Sequence, residues 1–308
     1  MTECAGVTTG TMKPPTYHRQ KLLLFLLEQA GGNLSKMDLH KLLFLYVAET
    51  ETNHYAFVPY RFGCYSFLAA DDLDLLHKRG WLTQGEKQVE LQASFAKLPW
   101  VGKNLERQAV RRWLAKNTQR GSALIREVYR RYPYYATRSE IKERLLDADE
   151  LARVREANRP EKHVGQVLFT LGYEGLHFEE YVNRLIRNGV KLLCDVRRNP
   201  LSRKFGFTQR SLATLLPRLG IEYHHLPELG IEAESRKHLE DKSDYEALFA
   251  EYRQTLPNRK AGLHRIVELL AEHGRIALTC FEQEPRNCHR HCISDFLARQ
   301  DRITTSHL

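Results

Sequence analysis

Lys191–Phe207, KLLCDVRRNPLSRKFGF, is the stretch on which the fold turns. Leu192, Leu193 and Cys194 form a short apolar run that follows a helix-like segment closing on Asn188-Gly189, the pattern of a buried strand. The run breaks into one carboxylate, Asp195, and then into Arg197, Arg198 and Arg203, with Pro200 stiffening the loop. In an open α/β sheet, ligands bind outside the carboxyl ends of the strands, so this turn is expected to border a site. The alternative is that Asp195 pairs with a neighbouring arginine in a solvated loop.

Outward from this stretch, the second half of the chain alternates strand and helix. VLFTLGY reads as a strand, HFEEYVNRLIRNG as a helix, KLLCDV as a strand, TQRSLATLLPRLG as a helix and IEYHHLP as a strand. Two helices follow, around Tyr245–Leu256 and Ala261–His273, before the strand RIALTCF and a last helix, HCISDFLARQ. That order predicts an α/β, Rossmann-like domain over residues 165–300, its mainly parallel sheet covered by helices on both faces.

The first half reads differently. After a loose tail over residues 1–15, LLLFLLEQA and LSKMDLHKLLFLYVAE have helical apolar spacing, with Ser35 as N-cap of the second. The aromatic run YRFGCYSF precedes a third helix, ADDLDLLHKRGWL, and a polar alternating stretch from Gln84 to Lys97 suits a hairpin or wing. Basic helices then run through VGKNLERQAVRRWLAKN and SALIREVYRRYPYYATRSEIKERLL, and DADELARVREANRPEKHVG reads as a linker or connecting helix. Residues 16–160 are therefore expected to form a mainly helical, basic domain, with a winged helix as one arrangement.

Charge placement narrows the partners. The net charge is +9, and Lys103–Lys162 holds 16 Lys and Arg against 9 Asp and Glu, a local excess of +7. Such a block commonly faces a polyanion, and Arg111, Arg112, Arg130 and Arg131 are the candidates to touch phosphates; a solvated helical face is the alternative. Tyr134 and Tyr135, beside the Pro133 break, are the candidates to stack on bases, whereas Trp113 and Tyr129 suit packing. No apolar run approaches the roughly 20 residues of a membrane span, and the first residues lack the apolar centre of a signal peptide, so no membrane partner and a cytoplasmic location are expected. Six cysteines are too few for a disulfide framework.

In a parallel sheet, four segments would converge on one edge: Gly172-Tyr173-Glu174; Asp195, Arg197 and Arg198; Pro227, Glu228 and Gly230; and Cys280 and Glu282. The segment CFEQEPRNCHRHC adds Cys288, His289 and Arg290 at the start of the last helix, where backbone N–H groups favour an anion and lower a thiol pKa. Zinc at Cys280, Cys288 and His289 is disfavoured at this level, because the spacing matches no common structural zinc pattern.

These residues also carry resemblances. TLGYEG, CDVRRNPLSRKFGF, GIEYHHLPELG and the C-F-E with C-H-R together resemble the domain of unknown function 488 family over about residues 167–297. Relatives often have Gly-His-Ser at Gly172-Tyr173-Glu174 and Leu-Gly-Gly at Leu229-Gly230-Ile231; the resemblance implies a shared site and no particular reaction. LHKLLFL, PYRFGCYS and DLDLLHKRGWL, within residues 18–85, resemble the Panacea, or SocA-like, antitoxin domain, with Gly63-Cys64 where that family usually has Gly-Pro.

The function expected from these readings is a hydrolytic enzyme acting on nucleic acid, DNA before RNA, that removes a damaged or modified base or cleaves a phosphodiester. Asp195 or Glu282 would activate water, Tyr173 would stack on an extruded base, and Arg197, Arg198, Arg203, His289 and Arg290 would hold phosphates. Base removal needs no cofactor; phosphodiester cleavage would ask Asp195 and Glu282 to hold a divalent ion. Two alternatives stay open: Cys288 as a nucleophile, and a non-enzymatic module that binds DNA or a protein partner.

Overall fold

Runs of apolar residues bounded by capping side chains set the elements of the first unit. The computed structural model describes residues 13–92, 104–159, 165–232 and 242–308, and the chain divides into two compact units, Met1–Ala157 and Asn158–Leu308. In the first, α1 (His18–Gln29), β1 (Asn33–Ser35), α2 (Lys36–Thr50), β2 (Val58–Tyr60), β3 (Gly63–Tyr65), α3 (Phe67–Lys78), β4 (Leu82–Gln84) and β5 (Gln88–Leu91) precede α4 (Asn104–Lys116), α5 (Gly121–Arg131), α6 (Lys142–Leu145) and α7 (Ala148–Ala157). Leu22–Leu27 are all buried, so the middle of α1 is covered on every side, as a helical stretch without a polar face must be. Ser35 caps α2 by accepting from Asp38 N–H, as its position implies.

β1 adds antiparallel to the β4–β5 hairpin, giving the sheet order β1-β5-β4. Helix, strand, helix, helix and hairpin in that order make a winged-helix arrangement, with the β2–β3 hairpin inserted between α2 and α3. The expected wing is present as far as Gln92; its continuation to Lys97 lies outside the described residues, as does most of the expected tail. The basic segment after residue 121 is interrupted at the expected Pro133 break: α5 stops at Arg131, Pro133–Ala136 forms a 3-10 turn, and α6 begins at Lys142. Pro133 cannot donate the hydrogen bond that would carry α5 further.

The second unit is α/β. It runs β6 (Val167–Gly172), α8 (Phe178–Arg187), β7 (Leu192–Asp195), α9 (Gln209–Leu215), β8 (Glu222–His225), α10 (Lys242–Thr255), α11 (Lys260–His273), β9 (Arg275–Cys280), α12 (His289–Gln300) and β10 (Thr305–His307). All four strand pairings are parallel, in the order β10-β6-β9-β7-β8. The short edge strand β10 lies beyond Gln300, where the alternation read from sequence ended; at three residues it is too brief to show periodicity.

One face of the sheet presents Leu168, Leu192, Cys194, Ile276 and Leu278 to Phe249 and Tyr252 of α10, Ile266 and Leu270 of α11, and Ile293 and Leu297 of α12. Each such side chain, fully buried, contributes about 1.5–3 kcal/mol. β6 and β9 are neighbours, yet the connection leaving β6 leads to β7 on one side and the connection leaving β9 leads to β10 on the other. Such a reversal opens a crevice at the strands' carboxyl ends.

Candidate functional site

Register brings the ends of the strands together at that crevice: Gly172 is level with Cys280, and Asp195 with Thr279 and His225. The four segments expected to converge do so. Tyr173 N–H and Glu174 N–H donate to the carbonyls of Cys280 and Phe281, Gln283 N–H donates to the Glu174 carboxylate at 3.0 Å, and Arg198 reaches the Pro227 carbonyl at 3.4 Å. Two glycines permit the approach. A Cβ on Gly172 would overlap the Glu282 carbonyl, and one on Gly230 would overlap the Arg198 backbone.

Asp195 is fully buried, and its oxygens are taken up. Oδ1 accepts from Arg197 N–H at 3.1 Å and Arg197 Nε at 2.8 Å; Oδ2 accepts from Arg197 Nη2 at 2.5 Å and the Tyr223 hydroxyl at 2.8 Å. Burial works against the Arg197 cation, but the hydrogen bonds and charge of Asp195 outweigh it and move its pKa up. Arg197 Nη1 also donates to the Tyr173 hydroxyl and the Phe207 carbonyl. The pairing foreseen as the alternative for Asp195 is therefore present, in the interior rather than in a solvated loop.

Other expected roles meet different surroundings. Tyr173 is buried and its ring stacks on Phe207 at 4.3 Å, with Phe281 against its edge, so an extruded base has no room on it. Arg290 is completely buried, where a phosphate cannot reach it; it ties the loop after β9 by donating to the Glu282 and Gln283 carbonyls and to Thr170 Oγ1. Arg198 and Arg203 are exposed, the former paired with Glu232 at 3.1 Å. In the first unit, Arg111 donates to Gln29, Arg130 pairs with Glu150 at 2.6 Å, and Arg131 pairs with Glu49 and Glu127; Arg112 is exposed. Tyr134 and Tyr135 pack on each other, and Tyr135 on Phe44, so both are half-buried.

The remaining group is dense. Cys280, Cys288 and His289 are buried side by side, with His289 Nδ1 at 3.6 Å from Cys280 Sγ and 3.9 Å from Cys288 Sγ. Glu282 Oε2 lies 3.5 Å from Cys280 Sγ. Burial, together with Cys280 and Glu282, holds the Cys288 thiol well above its usual range, opposite to the shift expected at a helix start and unfavourable to a thiolate nucleophile. A cavity of ≈ 110 Å³ opens on Glu282, Cys288 and His289, walled by Ile231, Tyr245, Leu248, Phe249 and Asn287. It has room for about three or four waters at their liquid volume of ~30 Å³ each.

Sequence reading missed Tyr223, Phe207 and the cavity wall. The apolar spacing of Tyr245, Leu248 and Phe249 marks a helix face but not what it covers; Tyr223 becomes a partner of Asp195 only through the register of an edge strand.

Residues 177–297, the part of the second unit from α8 into α12, match the family described as Domain of unknown function DUF488. The match leaves β6 and β10 outside it. Comparison with curated proteins and with solved structures finds no match.

Proposed function

We propose that the second unit is a hydrolytic centre directed at nucleic acid, with Glu282 as the group that activates water. The observation that carries this reading is the convergence of a partly accessible carboxylate, an imidazole and a thiol on one small cavity beyond the carboxyl end of β9. In this reading Asp195 and Arg290 are positioning residues: the first fixes the turn after β7, the second the backbone that carries Glu282. The cavity admits water and a small reacting group, not a length of polymer.

Arg112, exposed on α4, supplies a phosphate contact in this proposal. The groove-reading helix of a winged helix would be α3, which exposes Asp71 and Asp74 and would repel a phosphate backbone, so grip falls to α4 instead. The test is incubation of the chain with labelled DNA and RNA, plain and carrying modified bases, beside Glu282→Gln. Cleavage or base release by the parent chain, lost in the variant at unchanged affinity, supports the reading; no product from any substrate removes it.

A second reading rests on a separate observation. The first unit holds a cavity of ≈ 680 Å³ lined by Tyr60, Phe62, Tyr65 and Ile125 among others, with Lys41 and Asp38 in its wall. That size and lining suit a bound small molecule or peptide segment. A protein partner captured stoichiometrically and released by Ile125→Glu, with Glu282→Gln without effect, favours this regulatory reading over the enzyme.

A further inference from the structure

The imidazole of His289 shows what the two thiols beside it are for. Its Nε2 lies 3.0 Å from the Val196 carbonyl, which can only accept, so Nε2 carries a proton and Nδ1 is the ring nitrogen that faces Cys280 and Cys288. A ring nitrogen fixed by donating its other N–H to a backbone carbonyl is the usual support of a metal-binding histidine.

The spacing agrees. With bonds of ~2.3 Å to sulfur and ~2.0–2.1 Å to nitrogen, the edges of a tetrahedral zinc site come to roughly 3.5–3.8 Å. Here the two sulfur–nitrogen distances are 3.6 and 3.9 Å, and all three ligand atoms lie within 4.8 Å of one another. The longest edge needs to tighten by at most about 1 Å to reach the tetrahedral value.

We propose that Cys280 Sγ, Cys288 Sγ and His289 Nδ1 bind one zinc ion, with the fourth position facing the cavity that Glu282 lines. Binding releases two protons, one from each thiol, and two thiolates balance the dication, so the group enters the interior with no net charge. Two sulfurs and an imidazole select zinc over magnesium or calcium, which take oxygen ligands. Three protein ligands with an open fourth position are the pattern of catalytic rather than structural zinc. The spacing rule that disfavours zinc from sequence describes four-ligand structural sites; here the ligands come from the end of β9 and the start of α12, which only the fold brings together.

The ion is read without substrate, so failure of this inference is distinct from failure of the hydrolase reading. The full reduced chain, expressed in zinc-supplemented medium and desalted, is expected to hold close to one zinc per chain by elemental analysis. After removal of zinc by chelator, cobalt(II) should give thiolate-to-metal charge-transfer and tetrahedral d–d bands, reversed by adding zinc. Cys280→Ser, Cys288→Ser and His289→Gln should each lower zinc affinity at least about tenfold, as loss of a ligand or its support does, while Cys292→Ala, one turn along α12, leaves it unchanged. Should the ligand variants fail to fold, the parent chain decides alone. A folded, fully reduced parent chain that gives no thiolate-to-cobalt band and holds no zinc overturns the proposal.

Discussion

The two units each bury an aspartate against an arginine, and the two knots differ in how much water reaches them. In the first unit, Asp72 accepts from Arg19 Nε at 2.7 Å, Gln20 Nε2 at 2.6 Å and the Tyr55 hydroxyl at 3.0 Å. In the second, Asp195 accepts from Arg197 and Tyr223. The aspartates are equally hidden, but the Arg19 side chain is 25 % exposed and that of Arg197 7 %. Asp72 thus fastens α3 to α1 near the surface, whereas Asp195 fastens a turn inside the unit. The comparison teaches that an aspartate beside arginines at a strand end can be chemically spent: when every strong acceptor site is filled by a fixed donor, the group positions its neighbours.

The largest effect tests that lesson. Asp195→Asn leaves the Arg197 cation buried with a neutral partner, and breaking a buried pair in this way costs about 3–5 kcal/mol. Urea unfolding of the second unit should show a loss of that size, with weaker near-ultraviolet signals from Tyr173 and Tyr223. If Asp195→Asn keeps full stability while abolishing turnover, Asp195 is catalytic and the comparison fails.

Acid should separate the units next. In the first, burial lowers His40 to about 4, against the pull of the Lys36 and Ser66 carbonyls. The unfolded chain takes up this proton near 6.5 and the native one only near 4, so the stability is full above pH 6.5 and falls as pH drops toward 4. The loss amounts to about 3 kcal/mol at 1.36 kcal/mol per pH unit. Urea midpoints of the first unit between pH 7 and pH 4 should follow that fall, and His40→Gln should flatten it; a parent profile level over the same range rejects a neutral, buried His40.

Asp72→Asn is the smaller partner of the first experiment. Arg19 can turn toward water when its carboxylate is lost, so about 1–3 kcal/mol is expected, mostly from the unmet donors of Gln20 and Tyr55. A cost equal to that of Asp195→Asn would show that arginine exposure does not set the difference.

Much of this architecture is legible in residues and some of it is not, for a definite reason. The strand at Val167–Gly172 and the helix at Phe178–Arg187 follow from periodicity and caps that are local in sequence. The convergence of Tyr173, Asp195, Pro227 and Cys280 follows from parallel topology alone. What a side chain does once there depends on partners from other strands: Asp195 and Arg290 read as reactive groups because Tyr223 and the Glu282 carbonyl are 28 and 8 residues away. Cys280 and His289, nine residues apart, read as unlikely ligands for the same reason and prove to be neighbours.

The smallest effect separates charge that is spent from charge that is available on the basic helices. Arg130 pairs with Glu150, which is almost fully buried, whereas Arg112 stands exposed on α4. A phosphate near Arg130 has to compete with that carboxylate, and fewer counterions are released on binding; a phosphate near Arg112 meets no such competitor in the ion pairs of α5. Arg112→Ala should therefore lower the slope of log affinity against log salt on duplex DNA by about 0.9, the worth of one phosphate contact, at unchanged stability. Arg130→Ala should do the reverse, costing up to about 1 kcal/mol in the first unit and leaving the slope nearly as it was. Equal slopes for the parent chain and both variants would mean that neither helix meets phosphate, and the +7 excess of this segment would then be a solvated face.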